Sequence, residues 1–176
     1  EPSEEFATKY DELVRSSLLE LGDRIVDNTL ALSRVNRCLQ FCDGFIYTDS
    51  AAMEYVRFKT PKLEAVVDFL EDHFQSSDKI IIWAHFRASI HILQAYIKEF
   101  YSDSKHLNMY QISGETPVNS RQQLINWFND PIMREKEKRC LILQTASMMH
   151  GIDIRCETAV YYSLSYSNEE WQQSQD

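Results

Sequence analysis

The sequence has 176 residues, which is enough for one ordinary domain and too few for two large ones. A hydrophobic fraction of 44% and a charged fraction of 26% are typical of a globular chain and exclude disorder. The 18 Lys and Arg against 27 Asp and Glu give a formal net charge of -9, which argues against a generic polyanion-binding domain but leaves room for a local basic strip. The longest apolar run, residues 79–84, suits a buried strand and is too short to span a membrane.

The beginning of the chain and its cysteines give only broad expectations. The chain starts Glu1-Pro2-Ser3-Glu4, with neither a Met nor a signal-peptide pattern, so we expect a piece of a longer protein. Its cysteines, interpreted as free thiols, favour a cytoplasmic location. Cys38 and Cys42 lie one helical turn apart, but Cys140 and Cys156 form no second close pair, and no His has finger-like spacing. This pattern favours buried free thiols over a zinc site, and no metal is expected to bind this chain.

The first 58 residues are predicted to be mainly helical. Apolar residues recur at steps of three, four or seven over residues 8–42, which predicts one helix or, if Gly22 interrupts it, two. The sequence Cys42-Asp43-Gly44 is typical of a helix end, with Gly44 as the left-handed cap. The stripe favours packing into a core over a coiled coil, because its spacing is not strictly heptad.

The pattern changes at Thr60-Pro61, which is typical of a helix N-cap followed by the first helical position. The segments predicted after it are a helix with Leu63 and Leu70 inward, a strand at 79–84, a helix with Ile90 and Leu93 inward, a strand at 109–112, a helix containing 123–128, strands at 140–144 and 159–162, and a last helix at 168–176. Strands alternating with helices at these distances predict right-handed crossovers and a parallel sheet. We therefore divide the chain into a helical region at 1–58 and an α/β domain at 59–176.

A ligand site of a parallel α/β sheet lies beyond the carboxyl ends of the strands. The loops to consider are therefore 85–87, 113–115 and 145–153. The sequence has no G-x-x-x-x-G-K-[ST] loop, no G-x-G-x-x-G fingerprint, no G-x-S-x-G elbow and no acidic motif that closes a strand to hold magnesium. The chain on its own is therefore not expected to be a P-loop ATPase.

The first loop carries Arg87 at the point where a strand gives way to a helix. Backbone amides at a helix start favour an anion, and the Arg87 and Ser89 side chains could add contacts to phosphate. The alternative is ordinary strand-to-helix capping without a ligand.

The second loop contains Gly114, which allows a backbone to approach a ligand closely. Arg121 follows in the first turn of the next helix, where the helix dipole disfavours a cation, so a specific partner is expected for it. The alternative is a salt bridge from Arg121 to Glu115 or Asp130.

The third loop begins with Thr145 and ends with Asp153. Small polar residues after a buried strand suit backbone and hydroxyl contacts with phosphate, and Gly151 permits an unusual backbone angle. Asp153 could accept a hydrogen bond from a ribose hydroxyl, as acidic residues do in dinucleotide folds. His150 is interpreted as a surface or capping histidine, because the sequence shows no base or metal partner for it.

Taken in order, these segments resemble a known family. Lys79–Phe86 resembles motif four of this family, and Leu143–Asp153 resembles motif five. The block G-x-T … R … F, which lies between those motifs, is matched by Tyr110–Thr116, Arg121 and Trp127-Phe128. The approach to motif six is matched by Tyr161-Tyr162 and Glu170–Asp176. Residues 79–176 thus resemble the second RecA-like lobe of superfamily two helicases, specifically the Swi/Snf-related DNA translocases and above all their compact phage and bacterial versions. Residues 1–58 resemble the helical protrusion that precedes this lobe.

The resemblance implies half of an ATP-driven motor that moves double-stranded DNA. A first RecA-like lobe would supply the phosphate loop and the Mg²⁺ ligands, and ATP would bind between the lobes. The nucleotide-binding residues implied by the motifs are Gly151, Asp153 and Gln173, and the nucleic-acid contacts implied are Arg87, Gly114 and Thr145. The fragment is expected to be inactive alone, because the family's arginine fingers would come just beyond Asp176.

Two other functions stay open at this point. A non-enzymatic lobe that clamps DNA or binds a protein is favoured by the net acidity and by the missing motifs. A small-molecule enzyme with a Rossmann-like sheet is a weaker alternative, because the sequence lacks every fingerprint of such an enzyme. A membrane partner is not expected. The Met148-Met149-His150 segment also departs from the small residues that many members of the resembled family carry there.

Overall fold

The structure is a computed structural model that describes residues 3–15, 18–21, 24–27, 31–49, 53–102, 106–132, 136–147 and 153–164. The chain divides into two compact units, residues 1–66 and 67–176, and the division falls inside a helix. In chain order the elements are α1 (Glu4–Arg15), β1 (Leu18–Leu21), β2 (Arg24–Asp27), α2 (Ala31–Cys42), β3 (Phe45–Asp49), β4 (Glu54–Arg57), α3 (Pro61–Ser76), β5 (Lys79–Ala84), α4 (Arg87–Phe100), β6 (Leu107–Ile112), α5 (Val118–Asn129), β7 (Lys138–Gln144) and β8 (Ala159–Tyr161). None of the described helices is both long enough and apolar enough to cross a bilayer.

The first unit combines two helices with two antiparallel strand pairs, β1 with β2 and β3 with β4. Leu13, Phe41 and Ile46 form its buried cluster, on which Phe6 and Phe58 pack. The predicted helix over 8–42 is wrong between residues 18 and 27, where β1 and β2 pair. The reason is that periodicity alone does not separate short apolar strands from a helical stripe, and the Gly22-Asp23 dipeptide between them, typical of a hairpin, was the better signal.

Two local predictions at the end of this unit are confirmed. Helix α2 ends at Cys42, and Gly44 has φ of 91°, the left-handed value that favours glycine. An added Cβ at Gly44 would lie 2.9 Å from the carbonyl oxygen of Phe58, so the position also leaves no room for a side chain. The Thr60 hydroxyl accepts a hydrogen bond from the Leu63 amide at 3.3 Å, as an N-cap residue does at the start of α3.

The second unit is built on a four-stranded sheet of order β6-β7-β5-β8 in which each neighbouring pair is parallel. This confirms the predicted α/β architecture, and the observed strands extend or trim the predicted ones by only a few residues. Ile81, Trp83, Leu141 and Leu143 pack on one face of the sheet against Ile125 and Phe128 of α5. The predicted helix at 168–176 lies outside the described residues.

Because β5, β6, β7 and β8 are parallel, their carboxyl ends lie along one edge of the sheet and their amino ends along the other. We refer to these as the carboxyl edge and the amino edge. The loops predicted to hold the site all begin at the carboxyl edge, so the topology alone brings the first residues of these loops together.

Candidate functional site

The loops at the carboxyl edge are joined to each other by side-chain hydrogen bonds. Gln144, the last residue of β7, accepts from the backbone amide of Gly114 at 3.0 Å, and its amide nitrogen donates to the His85 carbonyl at 3.4 Å. The backbone amide of His85 in turn donates to the buried Ser163 hydroxyl at 2.9 Å. The loops that follow all four strands are thus tied into one surface, which includes the segments of the predicted Arg87, Gly114 and Thr145.

The loop of residues 113–116 is held in shape by Arg121 of α5. The Arg121 guanidinium donates to the carbonyls of Thr116 at 2.8 Å, Ser113 at 3.0 Å and Gly114 at 3.3 Å. The Thr116 hydroxyl also accepts from the Ser113 amide at 3.0 Å. The sequence predicted either a specific partner or a salt bridge for Arg121, and the structure shows that it fixes the loop by binding backbone oxygens.

Arg87 is the first residue of α4 and is paired across two loops. Its guanidinium forms an ion pair with Glu115, and the two side chains are 34% and 57% exposed. The Arg87 Nε atom is buried and has no hydrogen-bond partner among the residues that the structure describes. Arg87 therefore has a donor left over beside the start of a helix, where the dipole favours an anion.

Thr145 opens the short 3-10 segment Thr145–Ser147 that follows β7. The residue is only 7% exposed, and within the described part of the chain its buried hydroxyl oxygen has no hydrogen-bond partner. A buried hydroxyl without a partner costs stability, so the Thr145 hydroxyl is an open hydrogen-bonding position beside Gln144 among the described residues.

Asp153 contacts a different part of the domain. Its carbonyl accepts from the Asn129 side chain at 2.7 Å, Asn129 also accepts from the Arg155 amide at 2.8 Å, and the Asp153 carboxylate lies 3.5 Å from the Arg155 guanidinium. Asn129 is the last residue of α5, and these residues line an open cleft of about 510 Å³. The described contacts therefore do not group Asp153 with Arg87, Gly114 and Thr145. The predicted Gly151 and Gln173 lie outside the described residues.

The amino edge carries a charge network that the sequence did not reveal. Arg139 is 3% exposed and pairs with Glu137, which is 7% exposed, at 2.9 Å. Its two terminal nitrogens donate to the carbonyls of Trp127 at 2.6 Å, Asp130 at 2.9 Å and Ile132 at 2.9 Å. An arginine directly before the apolar run of β7 was the only available signal in the sequence.

The cysteines at this end of the sheet are suited to packing. All four cysteines of the chain are free, and complete burial raises the pKa of the Cys140 thiol to about 12. Burial also raises the pKa of Cys156, so neither thiol is activated as a nucleophile. The described residues contain no group of three or more His, Cys, Asp or Glu side chains that could hold a metal ion.

The comparisons with known proteins agree with this architecture. The chain is 29% identical over 91 residues to the SWI/SNF-related matrix-associated actin-dependent regulator of chromatin subfamily A containing DEAD/H box 1 homolog of Caenorhabditis elegans, a match that covers 51% of this chain and 9% of that protein. It is 24% identical over 85 residues to Helicase ARIP4 of Xenopus tropicalis, covering 41% of this chain and 6% of the relative. The chain thus matches only a small part of the length of these curated relatives.

A solved structure and a family match extend the likeness over most of the chain. The Sulfolobus solfataricus SWI2/SNF2 ATPase C-terminal domain superimposes with a TM-score of 0.59 at 16% sequence identity, covering 90% of this chain and 66% of that one, which shows a shared fold. Residues 61–176 match the family described as "Helicase conserved C-terminal domain". Since this match covers more than half of the sequence, the chain belongs to the family of helicase C-terminal domains.

Proposed function

We propose that residues 59–176 act as the second lobe of a Swi/Snf-like, ATP-driven translocase and grip the phosphate backbone of double-stranded DNA with the carboxyl-edge loops. The observation that carries the proposal is the joining of the Arg87, Gly114 and Thr145 loops through Gln144, in a chain of the helicase family. Two of these residues keep hydrogen-bonding capacity without a partner in the described structure, namely Arg87 Nε and the Thr145 hydroxyl.

Contacts of this kind are independent of base sequence. Arginine and hydroxyl groups on loops bind phosphate oxygens and fix the register of a protein on the duplex without reading bases. A surface that grips only the backbone suits a protein that moves along DNA. The net charge of -9 means that the grip depends on these few placed donors and not on a broad positive surface.

We assign the nucleotide to the side of the lobe that carries Asp153. Among the described residues its exposed carboxylate is held by Arg155 at 3.5 Å, so it fits as an acceptor for a ribose hydroxyl. Gly151 and Gln173 are proposed beside it from the motif match alone. The motif match assigns Mg²⁺ and the phosphate loop to a first lobe, because this sequence has neither a P-loop motif nor an acidic motif that closes a strand.

ATP bound between two such lobes would supply the free energy for opening and closing them, and this chain's part would be to hold DNA during that change. The likeness to the compact phage and bacterial translocases, and with it a location in the cytoplasm of a bacterial or infected cell, stays a prediction. The relatives described above come from a nematode, a frog and an archaeon. The second candidate is a non-enzymatic lobe that clamps DNA or binds a protein, favoured by the overall acidity.

The DNA contact is tested by Arg87→Ala in the 176-residue chain, with a labelled duplex titrated at several low salt concentrations. Loss of one phosphate contact should weaken binding several-fold and reduce the slope of log affinity against log salt by about 0.9. Lys98→Ala is the matched control, because Lys98 lies in the last turn of the same helix and its loss changes the net charge equally. Equal effects of the two variants, or no effect of Arg87→Ala, would remove Arg87 from the DNA-binding surface.

A further inference from the structure

The ion pair between Arg87 and Glu115 joins two carboxyl-edge loops that lie far apart in sequence. Arg87 begins α4 after β5, and Glu115 belongs to the Arg121-braced loop after β6. The backbone amide of Glu115 donates to the Ser113 hydroxyl at 3.4 Å within that loop. The Glu115 carboxylate that pairs with Arg87 therefore belongs to a loop whose shape is fixed by the hydrogen bonds of Arg121 and Ser113.

This pair differs from the buried pair at the amino edge. Glu115 is 57% exposed and Arg87 is 34% exposed, whereas Glu137 and Arg139 are both less than a tenth exposed. A solvent-exposed ion pair contributes little to stability and is screened by salt, so another anion can take the place of the carboxylate at small cost.

Near Arg87 and on the neighbouring loop, some hydrogen-bond donors are not used by the Glu115 carboxylate. Arg87 keeps its buried Nε–H without a partner among the described residues, and the nearly buried Thr145 hydroxyl on the neighbouring loop is likewise unpartnered there. A phosphate group has several acceptor oxygens and can bind a guanidinium in a bidentate manner. The carboxylate of Glu115 thus leaves the Arg87 Nε–H without an acceptor among the described residues.

We infer that Glu115 is a built-in competitor for phosphate: an internal carboxylate that holds Arg87 in the free protein and is displaced when a DNA phosphate binds. The inference rests on the proposed function, since it concerns the same loops. Its consequence is a weaker and more readily exchanged grip, because each phosphate that binds Arg87 must first break the pair with Glu115. A grip that exchanges easily suits a protein that has to release one phosphate and take the next.

The test compares Glu115→Gln with Glu99→Gln in the 176-residue chain, again with a labelled DNA duplex over a series of low salt concentrations. Both changes remove one negative charge, but Glu99 is an exposed residue in the last turn of α4. We expect Glu115→Gln to bind roughly two- to fivefold more tightly than Glu99→Gln, which is the range expected for loss of an exposed ion pair. The slope of log affinity against log salt should stay close to that of the original chain in both variants, because Arg87 neutralises the same phosphate once DNA is bound. Glu115→Asp keeps a carboxylate and should remain near the original affinity.

The double variant Arg87→Ala/Glu115→Gln separates this inference from the proposed function. If Glu115 acts through Arg87, the double variant binds no more tightly than Arg87→Ala/Glu99→Gln, which has the same net charge. Equal binding by Glu115→Gln and Glu99→Gln would overturn the competitor role, while a loss of affinity in Arg87→Ala would still support the DNA contact. An Arg87→Ala variant that binds like the original chain would remove Arg87 from the DNA-binding surface, and with it both the proposed contact and this inference.

A second measurement covers the case in which Glu115→Gln fails to fold. Inorganic phosphate is titrated into the unmodified chain while the Arg87 Nε–H and Glu115 amide resonances are followed by NMR. Displacement predicts that both resonances shift with the same phosphate dependence. A chain in which neither resonance moves while the duplex still binds would overturn the competition at this pair.

Discussion

Each edge of the parallel sheet carries an arginine paired with a glutamate, but the two pairs differ in burial and in how many hydrogen bonds the arginine makes. At the amino edge, Arg139 is almost fully buried and donates to the Glu137 carboxylate and to three backbone carbonyls. At the carboxyl edge, Arg87 is one-third exposed, is paired with an exposed carboxylate and keeps a donor without a described partner. The difference shows that the charge of an arginine says little about its role, while the completeness of its hydrogen bonding and its burial say a great deal.

The same contrast applies to the hydroxyl groups at the carboxyl edge. The Thr116 hydroxyl accepts from a backbone amide and shapes its own loop, whereas the Thr145 hydroxyl is buried without a partner among the described residues. Saturated polar groups hold the fold in place, whereas the Thr145 hydroxyl keeps hydrogen-bonding capacity for a partner outside the described residues. This comparison leads to predictions for both kinds of group.

The largest effect is expected at the amino edge. Arg139→Ala should lower the free energy of unfolding by about 3–5 kcal/mol, because it leaves the buried Glu137 carboxylate without its counter-charge. Urea unfolding of the chain, followed by circular dichroism, measures the loss. Lys138→Ala is the control: Lys138 pairs with the exposed Asp78 at 2.6 Å, and its loss should cost about 1 kcal/mol or less. If the two variants lose similar amounts of stability, the distinction between the buried Arg139–Glu137 pair and the more exposed Lys138–Asp78 pair is wrong.

A smaller effect is expected for the arginine that braces a binding loop. Arg121→Ala should cost about 1–2 kcal/mol of stability, since its charged hydrogen bonds to three carbonyls are partly exposed. Because the loop also carries Gly114, a proposed DNA contact, DNA affinity should fall as well. Arg121→Lys keeps the charge but loses the planar fork, so it should behave more like Ala than like Arg in thermal melts. A lysine variant with full stability would show that the charge alone matters.

The sequence was sufficient for the α/β part of the chain because each element there carries its own local signal. The apolar runs of β5 and β7 predict buried strands. Thr60-Pro61 predicts the start of α3, because Thr60 is a typical N-cap residue and Pro61 suits the first helical position. The parallel order then places the loops at one edge without further information. The two ends of the helix predicted over 8–42 are helical, in α1 and α2, and only the paired strands β1 and β2 between them contradict it. Leu18, Leu21 and Ile25 fit helical spacing as well as they fit two short strands.

The candidate site was predictable only at the level of loops. Which side chains are satisfied depends on contacts between segments far apart in sequence, such as Gln144 with Gly114 and His85. One alternative predicted for Arg121 was a salt bridge to Glu115 or Asp130, but the structure pairs Glu115 with Arg87. The burial of Arg139 depends on carbonyls at the end of α5 and beyond it, which no local pattern reveals.

The smallest and most discriminating effect is expected at Thr145. Thr145→Val replaces a buried hydroxyl by a methyl of similar size, so stability should be unchanged or rise by up to about 1 kcal/mol. If the hydroxyl is kept for a DNA phosphate, the same variant should lose about 0.5–1.5 kcal/mol of binding free energy, roughly a two- to tenfold weaker affinity. Thr116→Val is the matched control, because it removes a hydroxyl that already accepts from the Ser113 amide and should cost about 1–3 kcal/mol of stability. Thermal melts and duplex titrations of both variants measure the two quantities side by side. A Thr145→Val chain that is destabilised as much as Thr116→Val would mean that the hydroxyl serves the fold, and the contrast between saturated and unsaturated groups would then fail at this residue.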